Sequence, residues 1–164
     1  MDVGTGAGFP GMVLKIVRPD LKITLLDSLN KRLVFLNDVI EKLGLSDIST
    51  LHLRAEEAGK NKQYRESFDF ATARAVAALP VLLELCIPLI KVGGKFVAMK
   101  GPGVTDELAL CDNCLKTLNC QEPTLVTETL TGNEKRVFLS TKKISQTPPK
   151  YPRMGGKIAK AALK

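Results

Sequence analysis

Residues 2 to 11, Asp2-Val3-Gly4-Thr5-Gly6-Ala7-Gly8-Phe9-Pro10-Gly11, decide the fold. A short strand end runs into glycines at alternate positions. Pro10 then suits the first turn of a helix that continues through Met12, Val13, Leu14, Ile16 and Val17 until Pro19 stops it. The glycines let backbone approach a ligand closely, and the helix N-terminus offers unpaired N–H groups to an anionic group. A nucleotide-like ligand fits this arrangement, with a purely structural glycine turn as the alternative at this point. From Gly6 the run also spells G-x-G-x-x-G through Gly8 and Gly11, the dinucleotide fingerprint. Against that register, Gly4 and Thr5 are poor strand residues, and Asp2 places an acid where the strand finishes.

Outward from this turn, short β-rich runs alternate with helical periodicity. Lys22 to Leu26 reads as a strand ending on Asp27, and Ser28 as the N-cap of a helix with apolar residues at Leu29, Leu33, Leu36, Ile40 and Leu43, stopped by Gly44. Further strands are expected at Ile48 to Leu53, Phe68 to Ala73 and, after a Gly93-Gly94 turn, Lys95 to Met99. One helix is expected from about Asp106 to Leu118. The runs Thr124 to Leu130 and Arg136 to Thr141 form a hairpin around Thr131-Gly132-Asn133-Glu134. The predicted fold is α/β: a mostly parallel sheet covered on both faces, with an antiparallel edge hairpin.

The chain has 164 residues, 45% of them hydrophobic and 25% charged, which suits one globular domain at about 150 residues each and excludes a disordered chain. Its net charge of +7 is unevenly placed: residues 1 to 141 carry 17 basic and 17 acidic side chains, whereas residues 142 to 164 carry seven basic ones and no acid. The expected organisation is therefore a neutral domain, 1–141, and a basic C-terminal arm, 142–164. The longest apolar stretch, Ala75 to Ile90, is interrupted by Pro80, Glu84 and Pro88, too broken for a membrane span. No signal-peptide pattern opens the chain, so a cytoplasmic location is expected. Cys86, Cys111, Cys114 and Cys120 read as reduced thiols. Cys111 and Cys114 have C-x-x-C spacing without a second pair or a nearby histidine, so no metal site is expected. His52, alternating with Leu51 and Leu53, reads as structural.

In an open α/β sheet, ligands bind beyond the carboxyl ends of the strands, and chemistry-bearing residues collect there. Asp27 ends the second strand, where a carboxylate can accept both hydroxyls of a ribose. Arg54-Ala55-Glu56-Glu57 follows the third, Arg74 stands between alanines after the fourth, and Lys100-Gly101 follows the fifth. Together these sites resemble the S-adenosylmethionine-dependent methyltransferase fold. The glycine run, Leu26-Asp27-Ser28 with Lys31-Arg32 and Phe35-Leu36, Arg54-Ala55-Glu56, Thr72-Ala73-Arg74-Ala75, Ala98-Met99-Lys100-Gly101 and Thr147-Pro148-Pro149-Lys150-Tyr151-Pro152-Arg153 resemble more narrowly the bacterial small-subunit ribosomal RNA guanine-N7 methyltransferases, also called glucose-inhibited division protein B. The likeness runs from residue 2 to about residue 157.

That resemblance implies a Rossmann-like methyltransferase fold with S-adenosylmethionine as cofactor. By it, Gly4, Gly6 and Phe9 border the methionine and ribose parts, Asp27 faces the ribose, Ala55 and Glu56 face the adenine, and Arg74 lines the site. Lys100, Lys150, Tyr151 and Arg153 would lie toward RNA, with Tyr151 and then Phe9 as base-stacking candidates. The implied substrate is N7 of a guanine in small-subunit (16S) ribosomal RNA or a ribosomal particle, acted on by a monomer with no membrane partner. Guanine N7 carries an in-plane lone pair and no proton, so no general acid or base is assigned, and catalysis is expected from positioning. Family members carry a helical segment before the glycine motif, and this chain is expected to be N-terminally truncated relative to them. Its last residues, Gly156 to Lys164, lack the prolines usual there. Two alternatives remain: an NAD(P)-dependent oxidoreductase built on Gly6, Gly8, Gly11 and Asp27, and an inactive RNA-binding fragment.

Overall fold

The computed structural model describes residues 1–154 and 156–163. Lys164, counted in the basic arm, lies outside them. The elements run β1 (Asp2–Val3), α1 (Gly11–Val17), β2 (Ile23–Asp27), α2 (Asn30–Lys42), β3 (Ile48–His52), α3 (Ala55–Lys60), β4 (Phe68–Arg74), α4 (Leu79–Cys86), β5 (Ile90–Lys100), α5 (Val104–Leu108), α6 (Asp112–Thr117), β6 (Thr124–Thr129), β7 (Lys135–Lys142) and α7 (Lys157–Lys160). The seven strands form one sheet in the order β3-β2-β1-β4-β5-β7-β6. Strands β1 to β5 pair in parallel, and β7 pairs antiparallel with both β5 and β6. The expected mostly parallel sheet with an antiparallel edge hairpin is what forms.

Adjacent residues of a strand face opposite sides of a sheet, and β2 shows the result. Leu25 packs with Met12, Leu33 and Leu36 from α1 and α2. Its neighbour Leu26 packs on the other face with Val3, Ala71, Ala73 and the helices α4 to α6. The sheet is thus filled on both sides. Lys15, 1% exposed, closes the turn between α1 and β2 by donating to the carbonyls of Pro19 (2.7 Å) and Leu21 (2.6 Å).

Several local expectations are corrected. The single helix at 106–118 divides into α5 and α6, because the chain turns at Leu110 and leaves that side chain half-exposed while burying Cys111, Cys114, Leu115 and Leu118. Gly93-Gly94 is not a turn ahead of β5 but an irregularity inside it: Phe68 pairs Ile90, whereas Phe70 pairs Lys95. Ser28 does not cap α2. The Asp27 carboxylate takes the Leu29 N–H instead, at 2.9 Å.

The segment after Lys142 differs most from a free arm. Lys143 is fully buried, and its ammonium donates to Glu66 Oε1 (2.7 Å) and to the carbonyls of Ile87 (3.1 Å) and Ile90 (3.0 Å), which uses all three N–H groups. Thr147, Tyr151 and Pro152 are buried as well. Arg153 donates to the fully buried Glu84 through its backbone N–H (2.8 Å), Nε (2.9 Å) and Nη2 (2.6 Å). Residues 143 to 153 are therefore part of the domain. All four cysteines are free and buried, as expected of reduced thiols. Among the described residues no helix is long and apolar enough to cross a membrane.

Candidate functional site

Strand order reverses between β1 and β4, and the carboxyl ends of the parallel strands open there into a cleft of about 260 Å³. Its lining includes Gly4 after β1, Asp27 and Ser28 after β2, Arg54, Ala55 and Glu56 after β3, and Ala75 and Val76 after β4. Open α/β sheets place ligands at this switch point.

The loop between β1 and α1 is organised by Asp2. This residue is 1% exposed, and its Oδ2 accepts the Thr5 hydroxyl (2.6 Å) and the Gly11 N–H (3.0 Å) while Oδ1 accepts the Thr72 hydroxyl of β4 (3.1 Å). One carboxylate thus ties together the strand, the turn, the start of α1 and the strand across the switch point. Burial raises its pKa above the ordinary carboxylate value, against the pull of those donors. The strand ends at Val3, and Gly4 turns with φ +67°, a left-handed conformation that glycine adopts without strain. A Cβ at Gly4 would also stand 2.7 Å from Val76 on the cleft wall. Gly4, before the G-x-G-x-x-G register that starts at Gly6, is therefore the glycine that meets the cleft, which counts against the oxidoreductase reading.

Asp27 is 3% exposed. Its Oδ2 accepts the Gly6 N–H at 2.9 Å and Oδ1 the Leu29 N–H at 2.9 Å, with Arg32 Nη1 at 3.2 Å from Oδ2. Gly6 therefore acts through its N–H, fixing the orientation of Asp27, and is not itself in the lining. Glu56, 6% exposed, pairs with Arg54 Nε at 2.7 Å. At the start of α3 the Glu57 carboxylate accepts the Arg54 backbone N–H at 2.9 Å, and Ala55 and Glu56 line the cleft.

Of the expected cofactor residues, the cleft brings together Gly4, Asp27, Ala55 and Glu56. Phe9 and Arg74 stand outside it as a pair, the guanidinium 5.1 Å from the ring centroid, with Phe9 46% exposed. Sequence reasoning quoted Arg54 and Arg32 in the strand-end motifs without giving either a role, and both line the cleft beside an acid singled out for the site. It missed Leu85 of α4, for which the sequence carries no signal.

The residues expected to face RNA are placed differently. Lys100 Nζ, with its side chain 12% exposed, is held by Glu107 (2.8 Å) and the Ala77 carbonyl (3.0 Å), so it fastens the end of β5 to α5. Tyr151 is 7% exposed, with Lys150 Nζ 5.1 Å from its ring centroid, and Arg153 is committed to Glu84. Burial removes Tyr151 as a stacking platform, and pairing removes Lys100 and Arg153 as free cations; only Lys150 of these four is exposed. The antiparallel register adds a rim that was not expected. Lys100 pairs with Val137, so the exposed Lys135 and Arg136 project beyond the carboxyl end of β5, on the cleft's side of the sheet.

His52 bonds the Ser28 carbonyl at 3.1 Å, in keeping with a structural role. Among the described residues no cluster of His, Cys, Asp and Glu could hold a metal ion.

Known proteins share both sequence and fold with this chain. A crystal structure of a predicted O-methyltransferase from Agrobacterium tumefaciens superposes with a TM-score of 0.68 at 18% identity, over 89% of this chain and 74% of that one. An rRNA methylase from Streptococcus thermophilus superposes at 0.63 and 16% identity, over 88% and 85%. At these identities the likeness is one of fold, a Rossmann-like methyltransferase sheet. Sequence similarity is much higher to the ribosomal RNA small subunit methyltransferase G of Acetivibrio thermocellus, 53% identical over 99% of this chain and 67% of that protein. The namesake from Lactobacillus acidophilus is 54% identical over 94% and 65%. The chain thus spans about two thirds of the length of these curated relatives. Residues 1–137 match the family described as GidB, rRNA small subunit methyltransferase G, and the chain belongs to that family.

Proposed function

We propose that the chain binds S-adenosylmethionine in the cleft at the switch point and transfers its methyl group to N7 of a guanine in small-subunit (16S) ribosomal RNA. The observation that carries this reading is the convergence of Gly4, Asp27, Ala55 and Glu56 from separate strand ends on one cleft. The residues fit the cofactor: the buried carboxylate of Asp27 can accept ribose hydroxyls, Glu56 and the backbone at Ala55 can meet an adenine edge, and any side chain at Gly4 would push into Val76. The bound sulfonium supplies an electrophilic methyl group. Transfer to N7 would leave a neutral thioether on the cofactor and the positive charge on the guanine ring, so the residues that would hold the cofactor need supply no acid or base.

No proton moves at N7, so the protein's contribution is alignment. Asp2 and Asp27 fix the glycine loop, and Phe9 with Arg74 forms an exposed aromatic and cationic pair beside it on which a flipped base can stack. Phosphate contacts come from Lys150 and from Lys135 at the hairpin rim, where the neighbouring Arg136 is paired with Glu134 at 2.6 Å, so affinity for RNA falls with salt. The chain acts as a cytoplasmic monomer on ribosomal RNA or a ribosomal particle.

Calorimetric titration with S-adenosylhomocysteine and with NAD tests the cofactor: binding of the former alone is expected, and binding of NAD alone overturns the proposal in favour of an oxidoreductase. Transfer of labelled methyl from S-adenosylmethionine to small-subunit particles tests the reaction. Retention of RNA without transfer identifies an inactive RNA-binding fragment and defeats the enzymatic reading. Gly4→Arg is expected to abolish S-adenosylhomocysteine binding while leaving salt-sensitive RNA retention.

A further inference from the structure

The cleft wall formed by Ala55, Glu56 and Leu85 rests on two helices, and the C-terminal segment crosses both. Helix α3 has only six residues, too few to persist without tertiary support. Its last turn is held from outside. Arg65 Nη1 donates to the Gly59 carbonyl of α3 (2.9 Å) and to the Tyr151 carbonyl (2.7 Å), and Nη2 donates to the Thr147 carbonyl at 2.6 Å. A helix C-terminus leaves carbonyls without intrahelical partners and favours a cation, and here one guanidinium serves the helix and the crossing segment together. Contacts along the crossing are close. Lys60 donates to the Pro149 carbonyl at 2.7 Å, and a Cβ on Gly59 would stand 2.8 Å from Pro152 Cγ. One residue farther on, Arg153 grips Glu84, the neighbour of Leu85 on α4.

We propose that Arg65 is a positioning residue for the cofactor: by gripping the 147–151 segment and the end of α3 at once, it holds the Ala55 and Glu56 part of the wall in the shape that receives adenine. The proposal rests on the cleft being the S-adenosylmethionine site. Arg65 stands outside the cleft lining, so its effect travels through α3. Nothing on the substrate side is involved.

Arg65→Ala and Arg65→Lys, made in the full 164-residue chain, test it by hydrogen exchange without ligand and by calorimetry with S-adenosylhomocysteine and adenosine. For the alanine variant, amides of residues 56–60 are expected to lose protection while those of β4 and β5 keep theirs. Affinity for both ligands is expected to fall about fivefold to tenfold, in the range of an ordinary coupling between sites, with partial rescue by lysine. Unchanged affinity in the alanine variant, or loss of protection spread equally over α3 and the sheet, overturns the proposal. The reading of the cleft is judged separately, on the unsubstituted chain: if that chain binds neither ligand, the cofactor assignment fails, whereas the exchange pattern still reports whether Arg65 holds α3.

Discussion

The glycine loop after β1 and the segment after β7 are each fastened to the domain by charged side chains of opposite sign, the loop's bonds partly local and the segment's wholly remote. In the loop, the Asp2 carboxylate accepts from Thr5 and Gly11, three and nine residues away, and from Thr72 of β4. In the C-terminal segment two cations have remote partners, Lys143 meeting Glu66 across 77 residues and Arg153 meeting Glu84 across 69, and Arg65 of the domain reaches the segment's Tyr151 carbonyl across 86. The bonds of Asp2 to Thr5 and Gly11 show in a ten-residue window of sequence, and its bond to Thr72, 70 residues on, does not. A network closed over long range leaves only its charges visible, and those same charges read as a free basic arm.

Substitutions at the two anchors are ways to break this comparison. The largest effect is expected at Arg153→Ala, which strands the fully buried Glu84 carboxylate and should cost about 3 to 5 kcal/mol, read as a lower midpoint in urea unfolding. Asp2→Ala should cost less, about 2 kcal/mol for the lost charge-assisted hydrogen bonds, but should also weaken S-adenosylhomocysteine binding, because the loop carries Gly4 and Gly6. An unfolding cost for Asp2→Ala equal to or above that of Arg153→Ala would erase the distinction drawn between loop and segment.

Acid titration separates the regions by sign. Burial raises the Asp2 pKa above its ordinary 3.8, so the ionised form is costly in the fold, and the native protein gains stability relative to Asp2→Asn as pH falls through the raised value. Burial also pushes Glu66 up, but Lys143 and the Thr147 N–H outweigh it and hold the carboxyl below its ordinary 4.5. The stability Glu66 contributes is full above that ordinary value and is lost as pH falls through the lowered one. Chemical denaturation between about pH 3 and 7 should therefore show the deficit of Asp2→Asn growing on acidification and that of Glu66→Gln shrinking. The smallest expected effect is a gain. Thr147 Oγ1 is buried with no hydrogen-bond partner, so Thr147→Val should stabilise the protein by up to about 1 kcal/mol, seen as a raised thermal midpoint.

Much of the cleft was legible because it lies where strands end. Asp27, Ala55 and Glu56 each stand at or just beyond the end of a β-rich run, and strand ends in a parallel sheet converge wherever the helices cross back. Leu85 was not legible, since its position depends on how α4 packs beside α3. Lys100 illustrates a different failure: it does end a strand, but Glu107 on the next helix takes its charge, and no periodicity reveals that pairing. The break between α5 and α6 was hidden for a similar reason. Cys111 to Leu118 keep helical spacing, while the turn at Leu110 answers to the shape of the core.

The antiparallel course of β7 has a consequence for how the molecule can vary. The parallel strands β1 to β5 carry the cleft at their carboxyl ends, whereas β6 is exposed along its whole length and the β6–β7 turn projects past the same end of the sheet. Paired residues added to both arms of the hairpin would extend this overhang without shifting any cleft residue. The domain therefore carries a ruler of adjustable length beside a cavity of fixed shape, and the distance at which a polymer is held can change independently of the pocket.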